Sequence, residues 1–295
     1  MSNLNGELAL RKVTLPGTHD AGTYDIHLFS PMNPHRHDKA LKWIKISKYT
    51  LPWIAKNYSK TQNVNLVEQF KLGIRVFDLR VAKYRGEYRF THGMLGGVVL
   101  NDITDLIKYS QQHSKEIIIL YFKFIFGFTD EDHKIFQTRL NSVIGNRLAD
   151  YQHYKPDTKL VKYWSKKKNI IVVYNDPAKD GRYWNRRIMG SKWLNKTKAE
   201  DAMEYIQPYL DNGGKSYKNR LWGIDAALTP DGKYIATNFW SSTIKMAKTL
   251  NKRMVEELKN AKTTRNISYI FFDVAEYPEL ARVIIDSNFV ESTKR

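Results

Sequence analysis

The segment NLVEQFKLGIRVFDLRVA, residues 65–82, joins a short amphipathic helix to a buried strand. The helical part ends at Gly73, and glycine is the residue that most often follows a helix C-terminus. The apolar run from Ile74 is typical of a strand that is covered on both faces. A helix that leads directly into such a strand indicates parallel strands joined by crossovers.

The same alternation continues along the chain. Further strands are predicted at EIIILYFKFI (116–125), NIIVVYN (169–175), RLWGIDAAL (220–228) and ISYIFFDVA (267–275), with amphipathic segments between them. A hairpin is predicted at YRGEYRFTHGML, residues 84–95. The α/β class follows, and 295 residues suit one domain, either a TIM-like barrel or a doubly wound sheet.

Charge is the strongest compositional signal. The chain has 48 Lys and Arg against 30 Asp and Glu, a formal net charge of +18, which favours a polyanionic partner such as an anionic membrane or nucleic acid. A solubilising basic surface is the plainer interpretation. No zinc-finger, helix-turn-helix or RNP-like signature supports nucleic-acid binding.

Other function classes are excluded by composition. The absence of cysteine removes disulfides, thiolate catalysis and Cys-ligated zinc. No apolar run of about 18 residues predicts a membrane span, and the N-terminus lacks a secretory signal. We therefore expect a soluble protein, peripheral at membranes, and leave open a secreted or cytoplasmic location.

Residues 27–61 interrupt the alternation with a long, basic, Pro-containing insertion. It carries Trp43 and Trp53 among lysines, a combination that suits a membrane interface. A helical insertion that covers one end of the barrel fits equally well. The sequence HRH at 35–37, near His27, does not predict a metal site, because no carboxylate lies at ligand spacing.

Polar side chains stand at the ends of the predicted strands, where barrel enzymes place their catalytic groups. Asp78 and Arg80 share one face of a strand at i, i+2 spacing, and an ion pair between them is as plausible as a catalytic role. Asp273 lies within an apolar run, where an ionised carboxylate needs a partner. The full set comprises His19, Asp20, Asp78, Arg80, His92, Lys123 and Asp273.

Jointly these residue types suit phosphodiester cleavage by an internal hydroxyl. One imidazole takes the hydroxyl proton and a second protonates the leaving alkoxide. A buried carboxylate such as Asp273 would fix the tautomer of the base. Arg80 would stabilise charge on the phosphoryl oxygens through its planar fork.

Four motifs resemble the X-domain of phosphatidylinositol-specific phospholipase C, in its compact bacterial, metal-independent form. They are LPGTHDAGTYD (15–25), GIRVFDLRV (73–81), FTHG (90–93) and IFFDVAEYP (270–278). The resemblance spans the chain and implies a single distorted TIM barrel over residues 1–295. It also implies cleavage of phosphatidylinositol to diacylglycerol and inositol 1,2-cyclic phosphate.

The resemblance assigns roles to the strand-end residues. His19 is the general base, with Asp273 as its partner. His92 is the general acid, assisted by Asp20 or Asp78. Arg80 binds the phosphoryl oxygen and Lys123 contacts substrate.

No metal or other cofactor is expected, because Arg80 and Lys123 stand where calcium-dependent members place carboxylates. The family's sugar-binding Arg and Asp fall near Tyr174 and Trp193, which we therefore predict to line the substrate site with Lys123 and Asp225. Neither Tyr174 nor Trp193 can make the same hydrogen bonds as the Arg and Asp. Those contacts would come from Asn175, Asp176 or Asp225, or the headgroup is not plain inositol.

Two rival functions remain open. One is a metal-dependent glycerophosphodiester or sphingolipid phosphodiesterase on the same barrel. The other is a non-enzymatic basic module that binds anionic membrane, although simple charge binding has no need of two imidazoles. A monomer acting on phospholipid at an anionic surface is the expected state.

Overall fold

Ten strands form one curled sheet in a computed structural model that describes residues 1–35, 40–261 and 263–290. The strands are β1 (Leu15–Thr18), β2 (Val76–Tyr84), β3 (Glu87–His92), β4 (Met94–Val98), β5 (Ile118–Phe126), β6 (Ile170–Tyr174), β7 (Trp184–Asn185), β8 (Met189–Lys192), β9 (Leu221–Ala226) and β10 (Tyr269–Phe272). Their order is β7-β6-β5-β2-β1-β10-β9-β8, with parallel pairing along that path. The predicted distorted TIM barrel is confirmed.

The hairpin predicted at residues 84–95 is formed by β3 and β4. β3 pairs antiparallel with the second half of β2, and β4 pairs antiparallel with β3. It carries His92 at the end of β3.

Helices surround the sheet. They are α1 (Ala40–Thr50), α2 (Pro52–Ser59), α3 (Leu66–Lys71), α4 (Val99–Tyr109), α5 (Asp130–Ile144), α6 (Leu160–Ser165), α7 (Ala199–Asn212), α8 (Gly232–Thr237), α9 (Thr243–Lys259) and α10 (Pro278–Val290). α3 begins where the Asn65 side chain accepts a hydrogen bond from the Glu68 amide at 2.9 Å. It is followed by Gly73 at φ +102°, the left-handed conformation expected from its sequence.

Alternation along the strands sorts the core into two clusters. Val76, Ile119 and Val173 belong to one cluster with Tyr269 and other inward-facing residues. Phe77, Leu120 and Val172 and their neighbours pack with the helices in the other. Because successive strand side chains point to opposite faces, odd positions of β5 and β10 and even positions of β2 face the barrel interior.

The insertion at residues 27–61 contributes α1 and α2. Ile54 and Tyr58 of α2 are buried in the core, whereas Tyr49 of α1 is 84% exposed. The insertion thus covers part of the barrel and also presents apolar surface to solvent. Among the described helices, none combines the length and apolarity needed to cross a bilayer.

Candidate active site

The strand-end residues predicted from the sequence meet at the carboxyl ends of neighbouring strands. His19 and Asp20 follow β1, which pairs with β10 on one side and β2 on the other. Asp273 directly follows β10, and Arg80 lies on β2. This neighbourhood, set by strand order, brings groups up to 254 positions apart into hydrogen-bond contact.

His19 is held at its Nδ1 atom by Asp273. The distance from Nδ1 to Asp273 Oδ1 is 2.9 Å, and both side chains are buried. Burial, reinforced by the nearby charge of Asp20, raises the pKa of Asp273 well above its ordinary value. A carboxyl group with so little water around it depends on the imidazole for its hydrogen bond.

The opposite nitrogen of His19 faces Arg80. Arg80 Nη2 lies 2.7 Å from His19 Nε2, closer than Asp20 Oδ2 at 3.2 Å. A guanidinium can only donate, so this contact is a hydrogen bond when Nε2 carries no proton. The proton of the neutral ring is then on Nδ1, donated to Asp273, and Nε2 is the hydrogen-bond acceptor.

His92 has a different environment. Its Nδ1 lies 3.1 Å from the carbonyl oxygen of Ser59, and its Nε2 lies 3.4 Å from Asp20 Oδ2. Both of these partners are acceptors, so a proton on either ring nitrogen can be donated to one of them. The ring centroids of His19 and His92 are 6.2 Å apart. The two imidazoles thus lie on either side of Asp20.

Arg80 is fixed by carboxylates on two sides. Its Nε forms an ion pair with Asp20 Oδ1, and its Nη2 lies 3.7 Å from Asp78 Oδ2. Burial alone would lower the pKa of Arg80, but Asp20 and Asp78 outweigh it and raise the pKa. The Arg80 guanidinium also lies over the Phe124 ring, 5.2 Å from its centroid.

Lys123 continues the charged network toward β9. Its Nζ lies 3.3 Å from Asp78 Oδ2 and 3.9 Å from Asp225 Oδ2. Burial would lower the pKa of Lys123, but these two carboxylates raise it, so the ammonium form is favoured. Ser191 of β8 donates to Asp225 Oδ2 at 2.8 Å. Within the described residues, Asp225 Oδ1 has no hydrogen-bond partner.

These groups line a cavity of about 530 Å³ at the carboxyl ends of the strands. Of the predicted site residues, the lining includes His19, Arg80, His92, Lys123, Trp193, Asp225 and Asp273. The Trp193 ring lies 5.1 Å from the His19 ring, and the Lys123 ammonium lies 5.6 Å from the centre of the indole. Asp20 and Asp78 are buried behind the lining residues that they hold.

The placement predicted for Tyr174 is wrong. Tyr174 faces the helical side of β6, where its hydroxyl lies 2.9 Å from Nδ1 of His133 on α5. The reason is alternation: Val173 faces the barrel interior and Tyr174 the opposite side. Asp176 lies in the same outer group, with Oδ2 3.5 Å from His133 Nε2, while the Asn175 amide donates to the Lys123 carbonyl.

The structure describes only one of the two tryptophan side chains predicted at a membrane interface. The side chain of Trp43 and the HRH segment beyond His35 lie outside the described residues. Trp53 is partly buried against the core, and its ring stacks on that of Trp240 with centroids 6.3 Å apart. Trp240 is 71% exposed. Trp240 was not predicted as part of a membrane interface, although a tryptophan in the polar segment NFWSS was a usable signal.

Three side chains of the site could each offer one ligand atom to a metal ion. Ligand atoms of His19, Asp20 and Asp78 lie within 4.8 Å of one another. The Arg80 guanidinium contacts all three, however, and its fixed positive charge repels a cation at that place. Calcium also takes six to eight oxygen ligands. The cluster therefore fits a guanidinium better than a calcium ion.

Comparisons with known proteins bear on the family and the fold of the chain. No family model matches the chain. The PI-PLC X domain-containing protein 2 of Mus musculus is 27% identical over 290 residues, which cover 96% of this chain and 79% of the mouse protein. The chain belongs to the PI-PLC X-domain family.

Solved structures show the same fold as this member of the PI-PLC X-domain family. The phosphatidylinositol-specific phospholipase C from Listeria monocytogenes matches with a TM-score of 0.63 and 17% identity, covering 97% of each chain. An enzyme of the same name from S. aureus matches with a TM-score of 0.67 and 17% identity, covering 97% of this chain and 96% of that one. At these identities the likeness concerns the barrel.

Proposed function

We propose that this chain is a phosphodiesterase that cleaves phosphatidylinositol, or a related inositol phospholipid, to diacylglycerol and inositol 1,2-cyclic phosphate. The observation that carries the proposal is the unlike hydrogen bonding of the two histidines. His19 Nε2 accepts from a guanidinium, whereas both nitrogens of His92 face acceptors. An internal hydroxyl attack on phosphorus needs one base and one acid of this kind.

In the proposed reaction, the inositol 2-hydroxyl oxygen forms a bond to phosphorus while His19 Nε2 takes its proton. The bond from phosphorus to the glycerol oxygen breaks, and His92 Nε2 gives that oxygen a proton. The Asp273 contact at Nδ1 stabilises the imidazolium that forms on His19. Each proton transfer is typically worth ~10²–10⁴-fold in rate.

Arg80 supplies the fixed positive charge for the phosphoryl oxygens. The guanidinium lines the cavity and is held by Asp20 and Asp78 before substrate arrives, so little reorganisation is needed in the reaction. We propose that turnover needs no metal, because this cation lies where a metal would have to bind.

Headgroup binding is proposed for Asp225, Lys123 and Trp193. Asp225 Oδ1 is buried and lacks a partner among the described residues, so a sugar hydroxyl can donate to it. Lys123 can donate to headgroup oxygens, and Trp193 offers an apolar wall beside His19. Ser191 holds Asp225 in the orientation required.

An apolar rim, formed by the exposed Trp240 and Tyr49 and the partly buried Trp53, supports action at a lipid surface. Trp240, Trp53 and Tyr49 stand among lysines of α1, α2 and α9, and indole rings favour the headgroup region of a bilayer. We propose that residues 1–295 form one domain that binds anionic membrane as a monomer.

The test is phosphorus NMR of the purified protein with phosphatidylinositol vesicles in excess chelator. Phosphatidylcholine and sphingomyelin vesicles serve as controls. A cyclic inositol phosphate signal is expected. Turnover only after Ca²⁺ is added would contradict the role of Arg80, and no turnover under any condition would favour the non-enzymatic membrane module.

A further inference from the structure

Gln62, in the segment between α2 and α3, joins the ends of two catalytic strands through one side-chain amide. Its Nε2 donates to the carbonyl oxygen of His19 at 3.0 Å and to that of Phe272 at 3.3 Å. Its Oε1 accepts from the amide of Ala275 at 2.9 Å. Two acceptors on one side and one donor on the other fix the orientation of the amide. The side chain is 0% exposed.

The backbone that Gln62 holds has an unfavourable conformation on both strands. Asp20, directly after His19, has φ +49°, and Val274, directly after Asp273, has φ +63°. A left-handed conformation is rare for a β-branched residue such as Val274 and persists only where the surroundings hold it. Both of these residues follow one half of the His19–Asp273 pair.

The residues next to Gln62 make supporting contacts. The carbonyl oxygen of Thr61 accepts from the Val274 amide at 3.0 Å, and Thr61 Oγ1 donates to the His19 carbonyl at 3.2 Å. Two residues earlier, the carbonyl oxygen of Ser59 contacts Nδ1 of His92. The segment 59–62 therefore contacts the backbone of His19, the ring of His92 and the backbone on both sides of Asp273.

We propose that Gln62 is a positioning residue that holds the His19 Nδ1 to Asp273 Oδ1 contact at its 2.9 Å length. It acts through the backbone of His19 and through that of Phe272 and Ala275 on either side of Asp273, and it is not among the residues that line the cavity. The proposal rests on the proposed function, in which His19 is the base. Its consequence is that loss of the amide reduces chemistry rather than substrate binding.

The test compares Gln62→Met with Gln137→Met. Gln137 is a matched control, since its buried side-chain amide also bridges two backbone groups, those of Ala178 and Asp180, on the outer side of the barrel. We expect Gln62→Met to lower kcat by about 10²-fold, the cost of a small misplacement in a catalytic site, with KM within about twofold. Gln137→Met should lower the thermal midpoint comparably and leave kcat unchanged.

A second readout does not depend on activity. The His19 Nδ1 proton, bonded to Asp273, should give a downfield proton resonance that is lost or shifted in Gln62→Met and retained in Gln137→Met. If Gln62→Met does not fold, Gln62→Glu replaces it in the test. Glutamate keeps the shape of the side chain and the acceptor for the Ala275 amide but loses the amide donor, so we expect the same resonance to shift.

The outcomes separate the two proposals. An unchanged resonance, or a kcat no lower than that of Gln137→Met, would overturn the positioning role. A wild-type protein that produces no cyclic phosphate while its Gln62 variants lose the resonance would overturn the proposed function and support the positioning role of Gln62.

Discussion

Four carboxylates in this site have different tasks because their partners differ. Asp20 pairs with Arg80, Asp78 with Lys123, and Asp273 with His19. Asp225 accepts a hydrogen bond from Ser191 through one oxygen, and its other oxygen has no hydrogen-bond partner among the described residues. Burial raises the pKa of both Asp78 and Asp225, and the nearby lysine offsets that shift only in part.

Removing either imidazole should remove most of the activity. His19→Ala and His92→Ala are each expected to lower turnover of phosphatidylinositol by ~10²–10⁴-fold, because each deletes one proton transfer. Phosphorus NMR gives the rate and near-ultraviolet circular dichroism checks the fold. Turnover retained in a folded variant would remove that histidine from the mechanism.

The geometry of Arg80 should matter beyond its charge. Arg80→Lys is expected to lower kcat by about 10²–10³-fold, the usual loss for one transition-state donor, because an ammonium lacks the planar fork that presents separate nitrogens to His19 and Asp20. Arg75→Lys is the matched control: Arg75 immediately precedes β2 and pairs with Glu116 at 2.7 Å, at the opposite end of the strand. Equal rates in the two variants would contradict the proposed role of Arg80.

At the scale of elements, an irregularity between β2 and β5 shapes the cavity. The pairing shifts there, so that Leu79 lies opposite Phe122 but Arg80 lies opposite Phe124. Lys123 is the extra residue of a bulge, and bulges redirect side chains. Lys123 and Phe124 consequently both line the cavity, which strict alternation would forbid.

The first turn of α4 should make stability depend on pH. Asp102 accepts hydrogen bonds from the Tyr24 hydroxyl at 2.8 Å, yet burial raises its pKa from 3.8 to about 6. The folded state then binds the proton more tightly than the unfolded state, so this contribution is full below pH 3.8 and is lost as pH rises through about 6.

The Asp102→Asn variant should not lose this contribution to stability as pH rises. We expect the thermal midpoint of the variant, relative to wild type, to rise between about pH 4 and pH 7. Glu200→Gln, an exposed acidic residue in the first turn of α7, is the control. A midpoint difference that stays constant over this range would show that Asp102 is not the titrating group.

At the scale of the whole molecule, net charge and the apolar rim of Trp240, Trp53 and Tyr49 should act together at a membrane. The charge of +18 should attract anionic lipid from a distance, and this attraction should weaken as salt rises. The rim adds short-range burial of Trp240 and its neighbours. Salt concentration should therefore change the long-range attraction, whereas substitution of Trp240 should change the local burial.

Trp240→Ala should weaken binding to phosphatidylinositol vesicles about tenfold, which corresponds to roughly 1.4 kcal/mol. Hydrolysis of a water-soluble short-chain substrate should change little, since Trp240 stacks on Trp53 rather than on the histidines. Trp164→Ala is the control, because Trp164 packs near the N-terminal segment. An equal loss of hydrolysis on vesicles and on the short-chain substrate would place Trp240 in the catalytic site instead.

The sequence by itself determined the class of fold and most of the chemical groups. Alternating helices and apolar strands predict parallel pairing, and polar residues at strand ends predict a site there. These signals are local, since they depend on periodicity and on the position of a residue within its own segment. His19, Arg80, His92, Lys123 and Asp273 were found in this way.

Only the tertiary structure decided which groups touch and how they are held. Tyr174 was misplaced because a one-residue difference in strand parity reverses the direction of a side chain. Gln62 and Ser191 were missed because their roles depend on contacts with segments distant in sequence, from 34 to 213 residues away. Long-range contacts of this kind arise from strand order and from the path of the chain between α2 and α3, which no local pattern encodes.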